Sequence, residues 1–318
     1  MTRLRWPVSL GTTMTRSPKP VSKAFARAEP ARWREPAPRL NAMMECDTAF
    51  RVVARRYLRD LTANHPATCG GDAKALHAMR IALTHLRTAV LFFSPMVADS
   101  RLAQIKVELK WLNDQLGAVR DFDVAIERLR KISRQQAMTD LVSWNAGRAD
   151  RHRRLVRALR SARYLRLIGS TSDWIESGPW SVDNGKRATR QRACPIAAYG
   201  ADKLARWRKK LLKESGKLAD MGSRKRHRLR LLNKKLSYSI ESVEDLFADK
   251  RFSGQQAALE YLRKAQKSLG QLNDDANGQS LAAALHGNRV APTPFTSPKR
   301  AKRLMRTAAT AYRKLAEL

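Results

Sequence analysis

Acidic side chains are scarce in this sequence. Asp and Glu number 28 against 63 Lys and Arg, a formal charge of +35 over 318 residues. A compact domain with that imbalance repels itself unless an anion is close. The composition therefore calls for nucleic acid, an anionic membrane surface or a non-nucleotide polyanion as partner. Cysteine is scarcer still. Cys46, Cys69 and Cys194 are odd in number and form no CxxC pair, which argues against a disulfide framework and fits a reducing cytosol. No run of about 18 apolar residues occurs, so no segment inserts across a membrane as a helix. The N-terminus lacks the apolar stretch of a secretory signal. β-Branched residues are sparse and almost no segment alternates polar with apolar side chains, which excludes a sheet protein and leaves an all-α chain. Aromatic residues make up 7% and are not interleaved with the basic helices, as base-stacking surfaces require. A glycine-rich loop of P-loop spacing is absent.

What is present divides the chain. Residues 1–43 carry six prolines and nine basic residues against Glu29 and Glu35, the composition of a disordered basic arm. From residue 44 helical periodicity takes over, and a hydrophobic content of 43% allows a substantial core. Asp47 is placed to cap a helix ending near Ala63, and Gly70-Gly71 break the pattern that follows. A helix over 100–116 is expected to end at Gly117, with Asp121 capping the next. The stretch from Arg148 to Ile168 is rich in arginine and reads as a solvated face. Residues 169–195, with Gly178-Pro179, Asp183-Asn184-Gly185 and Pro195, read as a linker, although Trp174, Ile175 and Trp180 are suited to docking on a neighbour. Helices resume over 196–318.

The most informative segment runs from Ala75 to Phe93. His77, Arg80 and Arg87 fall within about 80° of one another on a helix. Met79, Leu83, Leu86, Val90 and Phe93 occupy the neighbouring arc, so a cationic edge lies beside a core-facing edge. A shift of 150 positions lays His77 on His227, Arg80 on Arg230, Leu86 on Leu236 and Val90 on Ile240. Lys234 and Lys235 continue the basic edge of the second copy. A shift of 153 lays Leu116-Gly117 and Asp121 on Leu269-Gly270 and Asp274. Two helices and their connection recur in one order, which indicates duplicated half-domains, 44–168 and 196–318. The Leu-Gly-x-x-x-Asp repeat reads as a glycine cap, a tight turn and an Asp N-cap.

A histidine with arginine three residues on, twice, is poor metal chemistry. The i+3 and i+4 places after His77 and His227 hold Arg80, Ile81, Arg230 and Leu231, with no carboxylate or second imidazole. Nor do the basic edges carry an acid, base or nucleophile to suggest catalysis, and no cofactor is implied. Cations in this company suit anion binding: arginine offers a planar fork to phosphate, lysine a point charge, histidine a donor.

These motifs resemble the CHAD domain, the conserved-histidine α-helical domain. His77-x-x-Arg80 with Arg87, followed by Leu116-Gly117-x-x-Arg120-Asp121, looks like its first half. His227-x-x-Arg230, Lys234-Lys235 and Tyr238, followed by Leu269-Gly270-x-Leu272-Asn273-Asp274, looks like its second. The resemblance implies two pseudo-symmetric antiparallel helical bundles forming one domain over 44–318. It further implies non-catalytic binding of inorganic polyphosphate in a basic groove or pore, and association with polyphosphate granules in a prokaryotic cytoplasm. The residues onto which binding maps are His77, Arg80, Arg87, His227, Arg230, Lys234 and Lys235, with Arg51, Arg55, His85 and Arg120 as secondary candidates. Relatives often carry a basic pair where this chain has Thr84-His85, so the second copy is expected to contribute more, with His85 as a partial substitute. The Glu-x-Glu-x-Lys signature of a fused triphosphatase is absent. A nucleic-acid binder and a polyphosphate-processing enzyme are the alternative readings.

Overall fold

A computed structural model describes residues 38–132, 137–183, 185–286 and 297–318. Of the expected basic arm, residues 1–37 lie outside the described residues. Residues 38–43 are not part of an arm: Leu40 is buried, and its N–H donates to Asp245 Oδ2 at 3.2 Å.

The described residues are helical, with no strand among them and one isolated bridge, Glu45 to Pro195. The helices are α1 Cys46–Ala63, α2 His65–Cys69, α3 Ala73–Phe92, α4 Leu102–Ile132, α5 Ala137–Leu159, α6 Ala162–Ser177, α7 Lys186–Arg192, α8 Ile196–Ser215, α9 Ser223–Ser242, α10 Gln255–His286 and α11 Pro298–Ala316. Local chemistry sets several starts. Asp72 accepts from the N–H groups of Lys74 and Ala75 and opens α3. Ser161 caps α6 through Tyr164 N–H, and Ser297 caps α11 through Arg300 N–H, with Pro298 in its first turn. Each cap satisfies a donor that the helix itself leaves open. Asp47 does not cap α1; it lies inside the first turn and pairs with Arg51.

Two elements differ from the sequence expectation. The proposed turn at Gly117-Asp121 does not exist, because α4 runs unbroken for 31 residues through both. Its counterpart α10 likewise runs for 32 residues through Gly270 and Asp274. Tertiary packing overrides the glycine as a stop signal. The segment 169–195 is not a linker either. It carries the end of α6, a short 3-10 turn at Pro179–Ser181 and α7. Trp174, Ile175 and Trp180 are fully buried. Phe50 meets both indoles edge-on, with ring centroids 5.6 and 5.3 Å away. Asp99 ties the segment down by accepting from Trp174 Nε1 at 2.9 Å and Trp180 N at 3.1 Å. The indoles therefore bury their apolar bulk while their polar hydrogens stay satisfied.

One continuous apolar core draws on α1, α3, α4, α8, α9, α10 and α11. At its centre α3 packs on α4 and α9, and α10 packs on α9 and α4, closing a ring of four helices. The two basic helices of the sequence repeat, α3 and α9, are thereby neighbours, and so are the two long ones. Across the α3–α9 seam His85 meets Tyr238 with centroids 4.2 Å apart, and it also stacks on Tyr57 of α1. Across the α4–α10 seam Arg128 pairs with Asp275.

Candidate anion-binding groove

The ring of four helices leaves a groove of about 990 Å³ on one side. Arg80 and Arg87 enter it from α3, and His227, Arg230, Lys234 and Lys235 from α9. Six of the seven principal candidates thus share one cavity, although they come from segments 150 positions apart in sequence. The seventh, His77, is exposed and outside the lining. Partial desolvation on its packed side, then the charges of Arg120, Arg80 and Lys234, hold it below the usual histidine range. It marks the rim of the same charge cluster, with Arg120 beside it.

The walls also carry cations that no motif announced: Lys106 and Lys110 on α4, Lys210 on α8 and Arg228 on α9. They sit in ordinary amphipathic helices, where an exposed lysine looks like any other. Only the packing of α4, α8 and α9 around one cavity aims them at a shared space.

The floor gives a reason for the first of the two Leu-Gly-x-x-x-Asp segments. A Cβ on Gly117 would lie 2.7 Å from Arg80 Nη1. Glycine lets the guanidinium of Arg80 on α3 lie directly on the backbone of α4. Asp121, one turn on, is pushed above the ordinary carboxyl range by burial and by Asp274, against the opposing pull of Arg80, Arg230 and Arg120. The second copy does not repeat this contact, since nothing lies within 4 Å of a Cβ on Gly270. Gly117→Ala should accordingly keep the fold, because helix propensity favours alanine by about 1 kcal/mol and Arg80 ends in a flexible side chain. Displacing its guanidinium should weaken anion binding several-fold while the thermal midpoint holds or rises. A lower midpoint with unchanged affinity would show that Gly117 serves packing alone.

Lys110 is paired with Asp114 at 2.7 Å, but the arginines at the centre of the groove are less well neutralised. Arg80 Nη1 and Arg230 Nε are buried without a hydrogen-bond partner. Burial, with Arg80 close by, lowers the Arg230 pKa from its usual value. Lys234 suffers most: burial first, then Arg230 and Arg80, bring its ammonium down to about 8. Lys235 lies over the indole of Trp207, 3.9 Å from the ring centroid, and burial with Lys203 and Lys210 also lowers it. His227 Nδ1 is 2.9 Å from Asn273 Oδ1. Since a carbonyl oxygen only accepts, Nδ1 carries the proton in that bond, and Nε2 donates to an anion only in the imidazolium form. Past this pair the groove opens into a second cavity of about 650 Å³ reaching Ser223, Arg224 and Arg226 at the start of α9. Buried donors left unpaired are what an anion site looks like when the anion supplies the missing acceptors.

Three secondary candidates lie elsewhere. Arg51 Nη1 pairs with Asp47 at 2.8 Å and its Nε donates to the Glu176 carbonyl, while its guanidinium lies 4.9 Å from the Trp180 ring centroid. Arg55 holds the Glu176 carboxylate with both arms of its fork. Both fasten α6 to α1. His85 does not substitute for a missing basic pair: it is 7% exposed, sandwiched between Tyr57 and Tyr238, and burial lowers its pKa to about 4. It is neutral at ordinary pH. Among the described residues no group of three His, Cys, Asp or Glu side chains could hold a metal ion.

The family model of the CHAD domain matches residues 52–283. Among solved structures, the crystal structure of the CHAD domain from the plant Ricinus communis superimposes with a TM-score of 0.69 at 22% identity, covering 89% of this chain and 90% of that one. PptA from Streptomyces chartreusis superimposes with a TM-score of 0.57 at 14% identity, covering 86% of this chain and 96% of its own. No curated protein matches the chain in sequence.

Proposed function

The chain belongs to the CHAD-domain family, and on that premise we propose that its central groove binds inorganic polyphosphate without cleaving it. The observation that carries this reading is the gathering of Arg80, Arg87, Arg230, Lys234 and Lys235 on one cavity, where Arg80 Nη1 and Arg230 Nε have no acceptor in the protein and burial with neighbouring cations lowers Arg230 and Lys234. Such an arrangement is electrostatically unfavourable until an acceptor-rich anion enters. A linear polyphosphate supplies acceptor oxygens along its whole length and no base to be read. Release of its counterions drives the association, which makes it salt-dependent. Binding of this kind would hold the protein on polyphosphate granules.

Nucleic acid fits the groove less well. Among the described residues no Phe, Tyr or Trp lines it, so a base finds no aromatic platform there on which to stack. Competition at fixed salt tests the choice. Labelled long-chain polyphosphate is challenged with single-stranded DNA, RNA and heparin at matched anionic charge. The expected result is that unlabelled polyphosphate displaces the label at the lowest concentration and that no phosphate is released with divalent metal present. Equal displacement by nucleic acid would remove the specificity, and steady phosphate release would make the protein an enzyme.

A further inference from the structure

A second basic surface stands outside the groove. Between Arg151 and Arg166, α5 and α6 present seven arginines, all exposed. Asp150 pairs with Arg153 and Arg154, and Glu108 on α4 pairs with Arg163. Arg151, Arg157, Arg160 and Arg166 have no ion pair among the described residues. Scattered surface charges of this number would normally be balanced by nearby carboxylates, and here most are not.

This surface connects to the groove through α4. Lys106 and Lys110, one turn apart, line the groove. Going round the same helix by about 100° brings Trp111 and then Glu108. Exposed Val107 lies between, at 56% of its full exposure. Arg163 is fixed there, its guanidinium 4.3 Å from the Trp111 ring centroid and bidentate on Glu108 at 2.8 and 3.0 Å. The path over α4 from the groove lysines to Arg163 is on the order of 10–15 Å, given a helix diameter of about 10–12 Å. Two carboxylates lie along it and each is paired with a cation of the path: Glu108 with Arg163 and Asp114 with Lys110 at 2.7 Å.

We infer that the α5–α6 arginine face is an auxiliary binding track for a long linear polyanion, which receives the part of the chain that leaves the groove past Lys106 and Lys110. This rests on the groove being the primary polyphosphate site. A chain too short to leave the groove gains nothing from the track. A long one gains contacts that need no further loss of translational freedom, so the face adds affinity through effective concentration.

The test is Arg157→Ser, Arg160→Ser and Arg166→Ser combined, compared with a charge-matched control, Arg303→Ser, Arg306→Ser and Arg313→Ser on α11. All six arginines are exposed, so both variants should fold, and circular dichroism checks that they do. Affinity for long-chain polyphosphate and for tripolyphosphate is measured across salt concentrations. The track variant should lose about tenfold for the long chain and nothing for tripolyphosphate. Its salt slope for the long chain should fall by about 2, at about 0.7 per lost contact on a flexible strand. The control should change little. An unchanged long-chain affinity and slope, or a loss equal to the control's, overturns the track. An Arg80→Gln and Arg230→Gln variant measured alongside separates the two ideas: if it binds both ligands like wild type, the groove reading itself has failed.

Discussion

Replacing Arg80 and Arg230 together by glutamine should lower affinity for long-chain polyphosphate by about a hundredfold or more while leaving the helical fold in place. Each arginine has a buried N–H with no acceptor in the protein. A charge-assisted hydrogen bond contributes about 1.5–3 kcal/mol net, so two of them amount to roughly two to four powers of ten in the dissociation constant. Glutamine keeps most of the volume and a neutral donor but removes the charge and the planar fork. Stability moves in both directions at once. The variant relieves the repulsion between Arg80 and Arg230, and it deprives Asp121 and Asp274 of nearby cations. Asp121 is already raised by burial and can take up a proton, which limits the damage. The thermal midpoint should shift by only a few degrees. Arg51→Gln is the informative contrast, because Arg51 is committed to Asp47, Glu176 and Trp180. It should cost stability and leave affinity within about twofold, since its charge is spent inside the fold rather than offered to a ligand. Loss of binding in Arg51→Gln with wild-type binding in the double variant would place the anion on a different surface altogether.

How much of this was legible beforehand depends on the range over which each residue finds its partners. The helical class and the apolar arc of α3 are local properties of period and composition, and they read correctly. The His-x-x-Arg edges were visible because the pattern occurs twice, 150 positions apart. Gly117 was visible too but misread. A glycine before an Asp resembles a helix end when only the flanking residues are considered. Its actual reason is an arginine 37 positions upstream that lies on its backbone. Arg55 and His85 failed in the same way. The first meets Glu176, 121 positions away, and the second is enclosed by tyrosines from two other helices. Exposure cannot be assigned from a helical wheel when the covering surface arrives from elsewhere in the chain. Lys106, Lys110 and Lys210 were missed for the converse reason: nothing in their own helices distinguishes a groove-facing lysine from a solvated one. Trp174 and Trp180 show that glycine and proline between helices mark turns without marking a linker. Two indoles packed on Phe50, with Trp180 Nε1 donating to the Trp174 carbonyl, hold that segment in the core.

Lys234 should couple binding to pH, and the free protein and the complex should respond in opposite senses. Its ammonium is buried among Arg230, Arg80 and Arg87, which brings its pKa to about 8 in the unliganded fold. The ordinary lysine value, about 10.4, applies to the unfolded chain. Because the folded value is depressed, the unfolded state binds more protons between these two pH values. The unliganded protein therefore becomes more stable as pH climbs from about 8 to about 10, and carries the full penalty below 8. That penalty is on the order of 3 kcal/mol. A bound polyphosphate reverses the situation by stabilising the ammonium, so binding takes up a proton above pH 8. Affinity should be greatest near pH 7 and fall by up to about tenfold per unit above 8, until the pKa of the complex is reached. Tyr238, whose ring centroid lies 5.4 Å from the ammonium, is raised by burial and by Glu241, which keeps it largely neutral through this window, and the neighbouring Lys235 is lowered by burial as well. Lys234→Met keeps the stem and removes the charge. At pH 7 the variant should melt higher than wild type, by several degrees, and bind about tenfold more weakly; at pH 10 the two proteins should bind alike. Calorimetry in buffers of different ionisation enthalpy would count the proton taken up by wild type at pH 8.5 and its absence in the variant. If Lys234→Met melts lower at pH 7 and keeps the wild-type pH profile, Lys234 is a satisfied structural cation and the groove's pH response lies in another group.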